Sequence, residues 1–333
     1  NKPVRAILKK IGVEDVTVVP EQEYPDGNFP TCPFPNPEIK EALAKGLELC
    51  NVVKPDLLLA TDPDCDRVGI AVPSDNGYEL FTGNEVGAML LEYICSERTK
   101  MGTMPADPVA VKTIVTTDIA AKIAKEYGVK LIEVLTGFKF IGEQIGFLED
   151  KGQEDRYIFG FEESYGYLAG SYVRDKDAVV ASMLICEMAA FYRTKGISLI
   201  QARENMYKKY GVYVHSQSSF VCEGVTGMER MKEIMSDLRT NTPKTIGGLT
   251  VTRFEDYLAS TSVDTATGAK TMLTLPKSDV LTFKLTDGAS VIIRPSGTEP
   301  KIKAYYTTTG TTKAEAAALE KTISDDFAKI LGF

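Results

Sequence analysis

Leu57-Leu58-Leu59-Ala60-Thr61-Asp62-Pro63-Asp64-Cys65-Asp66-Arg67-Val68-Gly69-Ile70-Ala71-Val72 is the stretch on which the fold turns. Two short apolar runs, Leu57 to Ala60 and Val68 to Val72, flank a loop of three carboxylates and one guanidinium. Runs this short and this apolar read as buried strands of an α/β sheet. Three carboxylates at i, i+2 and i+4 repel one another unless a hard divalent cation sits among them, and an all-oxygen donor set points to Mg²⁺ or Mn²⁺. An EF-hand does not fit, because its sixth position would be Arg67 where Gly is needed and its twelfth would be Pro73 where a bidentate Glu is needed. A solvated acidic turn is the alternative. Arg67 argues against it, since an arginine beside a metal cluster is suited to bidentate binding of a phosphoryl oxygen.

Downstream, strand and helix alternate. The pattern predicts a helix from Gly83 to Glu97, a linker from Met101 to Pro108, and a strand from Val109 to Val115. A helix capped by Asp118 and ending at Gly128 follows, then strands at Lys130 to Leu135 and Tyr157 to Phe161, then helices near Asp177 to Thr194 and Ser198 to Tyr210. This alternation implies parallel, doubly wound α/β units. Upstream, Val4 to Gly12 is helix-like with no initiator Met or cap before it, which reads as a cut inside a domain. Val16 to Val19 reads as a short strand. Asn36 caps a helix with Pro37 in its first turn and an apolar stripe of Ile39, Ala42, Leu43, Leu47 and Cys50. From Gly211 onward the pattern becomes α+β, with strands at Val280 to Leu285, Ser290 to Ile293 and Ile302 to Tyr306. A terminal helix closes it, opened by a Thr312/Glu315 capping box. The chain therefore divides into three domains, 1–102, 103–211 and 212–333: two doubly wound α/β domains and a smaller α+β C-terminal one.

Composition narrows the function classes. With 38 basic against 46 acidic residues the 333-residue chain carries a net charge of -8, which disfavours non-specific binding to nucleic acid or anionic membrane, so an anionic ligand must be held by local cations. No stretch approaches ~18 uninterrupted apolar residues, so no membrane span is expected. The six cysteines form no Cys-x-x-Cys pair and suit a reduced, cytoplasmic setting. His215 is the single histidine, and its surroundings resemble no Ser/His/Asp or Cys/His nucleophile system.

Two further loops carry chemistry. Gly160-Phe161-Glu162-Glu163-Ser164-Tyr165-Gly166 follows a strand directly, where ligands of open α/β sheets collect, and its carboxylates and hydroxyl suit the vicinal hydroxyls of a sugar. An exposed turn starting a helix is equally compatible with it. Arg174-Asp175-Lys176-Asp177 downstream offers cations to a phosphate, or only a solvated face. Arg294-Pro295-Ser296-Gly297-Thr298-Glu299-Pro300 brings an arginine, two hydroxyls and a glycine together as an anion nest, with an ordinary Pro-Gly connection as its alternative. Jointly the three loops suit a ligand with a sugar body and phosphate at one or both ends.

These pieces, with Thr136-Gly137-Phe138-Lys139 and Pro25-Asp26-Gly27-Asn28-Phe29-Pro30-Thr31, resemble the α-D-phosphohexomutase superfamily, phosphoglucomutase/phosphomannomutase branch, in the family's order and over essentially the whole chain. The resemblance implies the last three of four domains; the first, whose Thr-Ala-Ser-His-Asn-Pro loop carries the phosphorylated serine, has no counterpart string here. It implies a phosphosugar substrate, Mg²⁺ on Asp62, Asp64 and Asp66, and Arg67 as the catalytic residue steadying the transferring group. Glu162 and Ser164 would hold the sugar hydroxyls, with Thr136 also in the substrate site. Arg294, Ser296, Gly297 and Thr298, helped by Lys176, would grip the phosphate that is not being transferred. The reaction implied is glucose 1-phosphate to glucose 6-phosphate through phosphoserine and glucose 1,6-bisphosphate, with mannose or pentose phosphates as alternatives. The missing phosphoserine domain would be a necessary partner, and the chain alone would be inactive. A non-catalytic phosphosugar-binding module and a phosphatase using Asp62 as nucleophile are the rival classes.

Overall fold

A computed structural model describes residues 1–222, 226–297 and 299–333. They form two compact units, Asn1–Tyr210 and Gly211–Phe333.

In the first unit, α1 (Lys2–Lys10) buries Val4 and Leu8 and packs on a later helix, while residues 13–19 run without the expected strand. The helix expected from Asn36 starts later. Asn36 Oδ1 accepts from the Glu38 N–H at 3.0 Å, a short 3₁₀ turn follows, and α2 (Ala44–Val53) begins only then. Next come β1 (Leu58–Thr61), β2 (Val68–Ser74) and β3 (Gly77–Phe81), a sheet in the order β1-β2-β3 whose pairings are both antiparallel. Parallel pairing was expected here from the alternation. The connection from β1 to β2 covers only 62–67, whereas a parallel crossover needs about a dozen residues, so the acidic loop is a hairpin end.

The long helix α3 (Gly83–Lys100) opens with a complete capping box between Thr82 and Glu85. Then follow β4 (Val109–Thr113), α4 (Ile119–Tyr127), β5 (Lys130–Val134), α5 (Phe138–Glu149), β6 (Tyr157–Glu162) and β7 (Gly166–Leu168). Their sheet has the order β5-β4-β6-β7, parallel across its first three strands and antiparallel at β6-β7. This is the α/β arrangement the alternation predicts. Val109 and Val111 of the central strand meet Val134, Ile141, Ile145 and Leu168 in its core. Asp118 makes no side-chain cap at α4. It pairs instead with the fully buried Lys112 at 3.2 Å, because an ammonium taken out of water needs an anion more than a helix end needs a cap. The helices α6 (Ala178–Thr194) and α7 (Leu199–Tyr210) complete the unit.

The second unit starts with β8 (Val212–Val221) and α8 (Gly227–Thr240), continues through β9 (Thr245–Ile246), β10 (Leu249–Asp256), β11 (Thr261–Asp264), β12 (Lys270–Met272), β13 (Leu281–Leu285), β14 (Ser290–Pro295) and β15 (Lys301–Gly310), and ends in α9 (Lys313–Leu331). The strand order is β12-β11-β10-β13-β14-β15-β8, with β9 paired to β10. Met231, Met235 and Leu238 of α8 and Ile323 and Phe327 of α9 pack with Phe283, Val291, Ile293, Ile302 and Ala304, so one face of this antiparallel sheet carries the core. The capping box of α9 is half of what the spacing suggests. Thr312 Oγ1 accepts from the Glu315 N–H at 3.1 Å, but the Glu315 carboxylate reaches one residue further back, to the Thr311 N–H at 3.1 Å. Among the described residues, no helix is long and apolar enough to cross a membrane.

Candidate active site

The acidic hairpin end is shaped by one of its own carboxylates. Asp62 Oδ1 accepts from the Asp66 and Arg67 N–H groups, both at 3.0 Å, and Cys65 takes the left-handed conformation at φ 62° that lets the loop close. One carboxylate oxygen from each of Asp62, Asp64 and Asp66 then lies within 4.8 Å of the others. Asp66 Oδ1 is buried without a hydrogen-bond partner. Burial, partly offset by the Arg67 N–H and reinforced by Asp66 and Asp64, raises Asp62 to about 6. Three hard donors, one of them unsatisfied and the group short of positive charge, fit a small divalent cation.

The second loop is a three-residue hairpin connection between β6 and β7. Glu162 pairs with Gly166 across it, and Tyr165 at φ 65° occupies the left-handed position that such a loop requires and that glycine usually fills. The two loops are stitched together. The Val68 N–H donates to Tyr165 O at 3.1 Å, Arg67 and Gly166 form a bridge, and the Ala178 N–H at the start of α6 donates to Cys65 O at 3.1 Å. Ser164 hydrogen-bonds to the buried Glu162 carboxylate; burial still raises Glu162 above its usual range, against the pull of Ser164, Lys176 and Arg67.

Lys176 sits at this junction. Its Nζ lies 2.8 Å from Asp66 Oδ2 and 2.9 Å from Asp175 Oδ1. Burial opposes its charge, but the hydrogen bonds to these two carboxylates outweigh burial and raise its pKa. The same Nζ is 5.6 Å from the ring centre of Phe138. Thr136 lies half-buried at the β5-α5 turn, and Phe138 is the residue through which that turn reaches Lys176. Within 1–210 the structure therefore gathers Asp62, Asp64, Asp66, Arg67, Glu162, Ser164 and Lys176, while Thr136 is linked to them only through Phe138, two residues on.

Sequence reasoning missed Glu38 as part of this site. Its Oε1 lies 2.7 Å from Arg67 Nη1, and the same fork has Nε 3.8 Å from both Asp62 Oδ2 and Asp66 Oδ1. Glu38 is aimed by the Asn36 turn. That turn lies so close to β2 that a Cβ on Gly69 would come 2.9 Å from Pro37 O. The signal was present as Pro35-Asn36-Pro37-Glu38, but a carboxylate 29 residues from its arginine is not paired by spacing.

The third loop lies in the second unit, at the β14-β15 hairpin. Ser296 N–H donates to Lys301 O at 2.8 Å, and the Glu299 N–H donates to Ser296 Oγ at 3.3 Å. Arg294 and Ser296 are half-buried and Gly297 is exposed. Among the described residues, a Cβ on Gly297 would meet nothing within 4 Å. The remaining expected member of this nest, Thr298, lies outside the described residues.

The sequence matches the family descriptions "Phosphoglucomutase/phosphomannomutase, alpha/beta/alpha domain II" over residues 1–76, "alpha/beta/alpha domain III" over 82–210 and "C-terminal domain" over 239–325. It is 37% identical over 303 residues to the phosphoglucomutase of Staphylococcus aureus (strain MRSA252), covering 91% of this chain and 53% of that protein. The phosphoglucomutase of Staphylococcus saprophyticus is 35% identical over 304 residues, covering 91% and 54%. The chain thus spans about half the length of the curated relatives it matches. Among solved structures, the exocytosis-sensitive phosphoprotein pp63/parafusin of Paramecium, a phosphoglucomutase in its open form, superposes with a TM-score of 0.63 at 19% identity, covering 90% of this chain and 50% of that one. A putative phosphomannomutase of Thermus thermophilus superposes at 0.57 and 20% identity, covering 90% and 51%. With three successive family domains matched along its length, this chain belongs to the phosphoglucomutase/phosphomannomutase branch of the phosphohexomutase superfamily.

Proposed function

We infer that the chain is the metal-, sugar- and phosphate-binding part of a phosphoglucomutase that interconverts glucose 1-phosphate and glucose 6-phosphate in the cytoplasm. The observation that carries this reading is the stitching of the Asp62–Arg67 loop to the Glu162–Gly166 hairpin, which brings the carboxylate triad beside the loop of Glu162 and Ser164. Asp62, Asp64 and Asp66 would hold Mg²⁺, which when bound neutralises charge on a phosphoryl group. Arg67 is already aimed by Glu38 and steadies the oxygens of the group in transfer. Glu162 and Ser164 orient the sugar through its hydroxyls. Lys176, standing at Asp66, supplies positive charge on the same side. Arg294, Ser296, Gly297 and Thr298 are assigned to the phosphate at the far end of the substrate, and Thr136 to the substrate's surroundings.

Phosphoryl transfer asks a protein for position and charge neutralisation more than for covalent chemistry, with one exception, the group that carries the phosphoryl between turns. We assign that group to a phosphoserine domain of the complete protein, with glucose 1,6-bisphosphate as the intermediate that turns over before the second transfer. The division of the chain into 1–102, 103–211 and 212–333 belongs to the same reading.

The test is an assay of glucose 1-phosphate conversion with Mg²⁺ and trace glucose 1,6-bisphosphate. It compares this chain alone with a form carrying a phosphoserine domain ahead of it, and repeats the assay with mannose and ribose 1-phosphates. Turnover only in the longer form, fastest on glucose, is the expected result. Turnover by this chain alone would remove the phosphoserine step. Binding without turnover in either form would make the chain a phosphosugar sensor.

A further inference from the structure

The two adjacent glutamates of the hairpin face different surroundings. Glu162 turns toward Ser164, Lys176 and Arg67. Glu163, one residue on, points the other way: Thr113 Oγ1 at the end of β4 donates to Glu163 Oε2 at 3.2 Å, and Thr116 Oγ1 lies 3.4 Å from the same oxygen. The two hydroxyls are themselves 2.8 Å apart and both residues are buried. One hydroxyl can donate to the other while the second proton goes to Glu163, so the pair is satisfied by one carboxylate oxygen and would not be by an apolar side chain. The backbone of Glu163 is held as well. A Cβ on Gly83, the first residue of α3, would lie 2.1 Å from Glu163 O and 2.8 Å from Tyr165 N, so the helix start is pressed directly against the loop. That helix start is fixed in turn: Tyr207 of α7 donates to Glu85 Oε1 at 2.9 Å, while Glu85 Oε2 takes the Thr82 N–H at 2.8 Å.

We propose that Glu163 is a positioning residue whose carboxylate, anchored on Thr113 and Thr116, and whose backbone, seated on Gly83, fix the hairpin so that Glu162 and Ser164 present one constant geometry to substrate hydroxyls. The hydroxyl-reading role rests on the function inferred above; the fixing of the hairpin does not. Glu163 then touches no substrate and acts on specificity through its neighbour. A change at this position loosens the seat of Glu162 and Ser164 without adding or removing a contact of its own to the ligand.

Two measurements on the ligand-free and ligand-bound chain separate the parts. In amide hydrogen exchange without ligand, Glu163→Ala and the Thr113→Val/Thr116→Val double variant raise exchange of residues 164 and 165 by about tenfold or more, while the amides of β4 keep their protection; Glu163→Gln, which retains an acceptor oxygen, stays within about threefold of the parent. Unchanged exchange in Glu163→Ala overturns the proposal. In calorimetric titration with Mg²⁺ present, the parent binds glucose 1-phosphate about tenfold tighter than its 4-deoxy analogue. In Glu163→Ala that ratio collapses toward one, and in Glu163→Gln it is restored. A merely structural residue would weaken both ligands alike and leave the ratio standing, which also overturns the proposal. If the parent itself binds neither ligand while exchange responds as described, the sugar reading of the site fails and the anchoring of the hairpin stands. Should Glu163→Ala not fold, Thr116→Val alone carries the same exchange comparison.

Discussion

Residues 62–67 and 162–166 are held by each other, whereas the described residues of the third loop are held by the Ser296–Lys301 end of their own hairpin and, at Pro300, by the Cys222 N–H at 2.8 Å. In the first pair the Val68–Tyr165 hydrogen bond, the Arg67–Gly166 bridge and the Gly83 seat fix backbone to backbone. In the second, Ser296 closes on Lys301, and a Cβ on Gly297 would meet none of the described residues within 4 Å. A region that must set carboxylates a few ångströms apart against their mutual repulsion needs rigid support, because each small displacement changes the charge balance. A region with the phosphate-holding role proposed for the third loop would tolerate slack, since many donor arrangements satisfy the same anion. The difference teaches that, under the proposed function, the first two loops are built for fixed geometry and the third for accommodating an anion.

That contrast is broken most severely at Asp64. It is the exposed member of the carboxylate triad, so Asp64→Asn removes a ligand without opening the core. The expected loss in kcat of the phosphoserine-bearing protein is about a thousandfold at saturating Mg²⁺, on the scale of a lost electrostatic stabiliser of the transition state. Urea unfolding without metal should stay within ~0.5 kcal/mol of the parent. Retained kcat would show that the triad does not serve the reaction.

The next largest effect separates the two regions by the same small change. Gly83→Ala must displace backbone, because its new methyl meets Glu163 O at 2.1 Å; a loss of about 1–3 kcal/mol in urea-melt stability is expected. Gly297→Ala meets none of the described residues within 4 Å and should leave stability unchanged to within ~0.5 kcal/mol. Equal costs at both positions would erase the distinction between a braced and an open loop. A smaller effect is expected at Arg294→Lys, which keeps the charge and loses the planar fork: about a tenfold rise in KM for the sugar phosphate with kcat nearly constant. A fall in kcat with KM unchanged would place Arg294 in the transfer step instead.

The two regions also differed in how far they could be read from sequence. Asp62, Asp64, Asp66 and Arg67 were legible because the chemistry is contiguous, and the loop ends are marked by apolar strands on both sides. Glu38 was not, since its link to Arg67 depends on how residues 35–38 pack on β2. The opposite destinations of Glu162 and Glu163 follow from the alternation of a strand, but only once β6 is known to run through Glu162. Gly83 and Gly87 read simply as helix residues. Their reason for being glycine is tertiary, as a Cβ on Gly87 would enter the Phe161 ring at 2.0 Å. The α/β alternation predicted β4, β5 and β6 closely, yet it misassigned the pairing of β1 and β2, because periodicity carries no information on strand direction. In the second unit β8 and β10 to β12 escaped notice: Thr, Ser and Lys recur along them and blur the apolar alternation that marks a half-buried strand.

The last expected effect concerns pH and again singles out the braced region. Burial, with the neighbouring Glu162 adding to it, lifts Glu163 from the usual 4.5 to about 7. A carboxyl whose folded pKa lies above its unfolded one binds protons more tightly when folded, so its contribution to stability is present below about 4.5 and is lost as pH rises toward about 7. Glu163→Gln is uncharged throughout. Relative to the parent it should therefore gain stability as pH rises across that window and hold the gain above it, with no gain below. A shift from 4.5 to about 7 converts to a change of about 2 kcal/mol in the parent-variant difference between pH 5 and pH 8. Chemical denaturation of both proteins across this range is the measurement. A parent-variant difference that does not change with pH would mean that Glu163 is as well solvated as an ordinary surface carboxylate, and the bracing of its loop would then rest on the Gly83 contact and the hydrogen bonds to the Asp62–Arg67 loop alone.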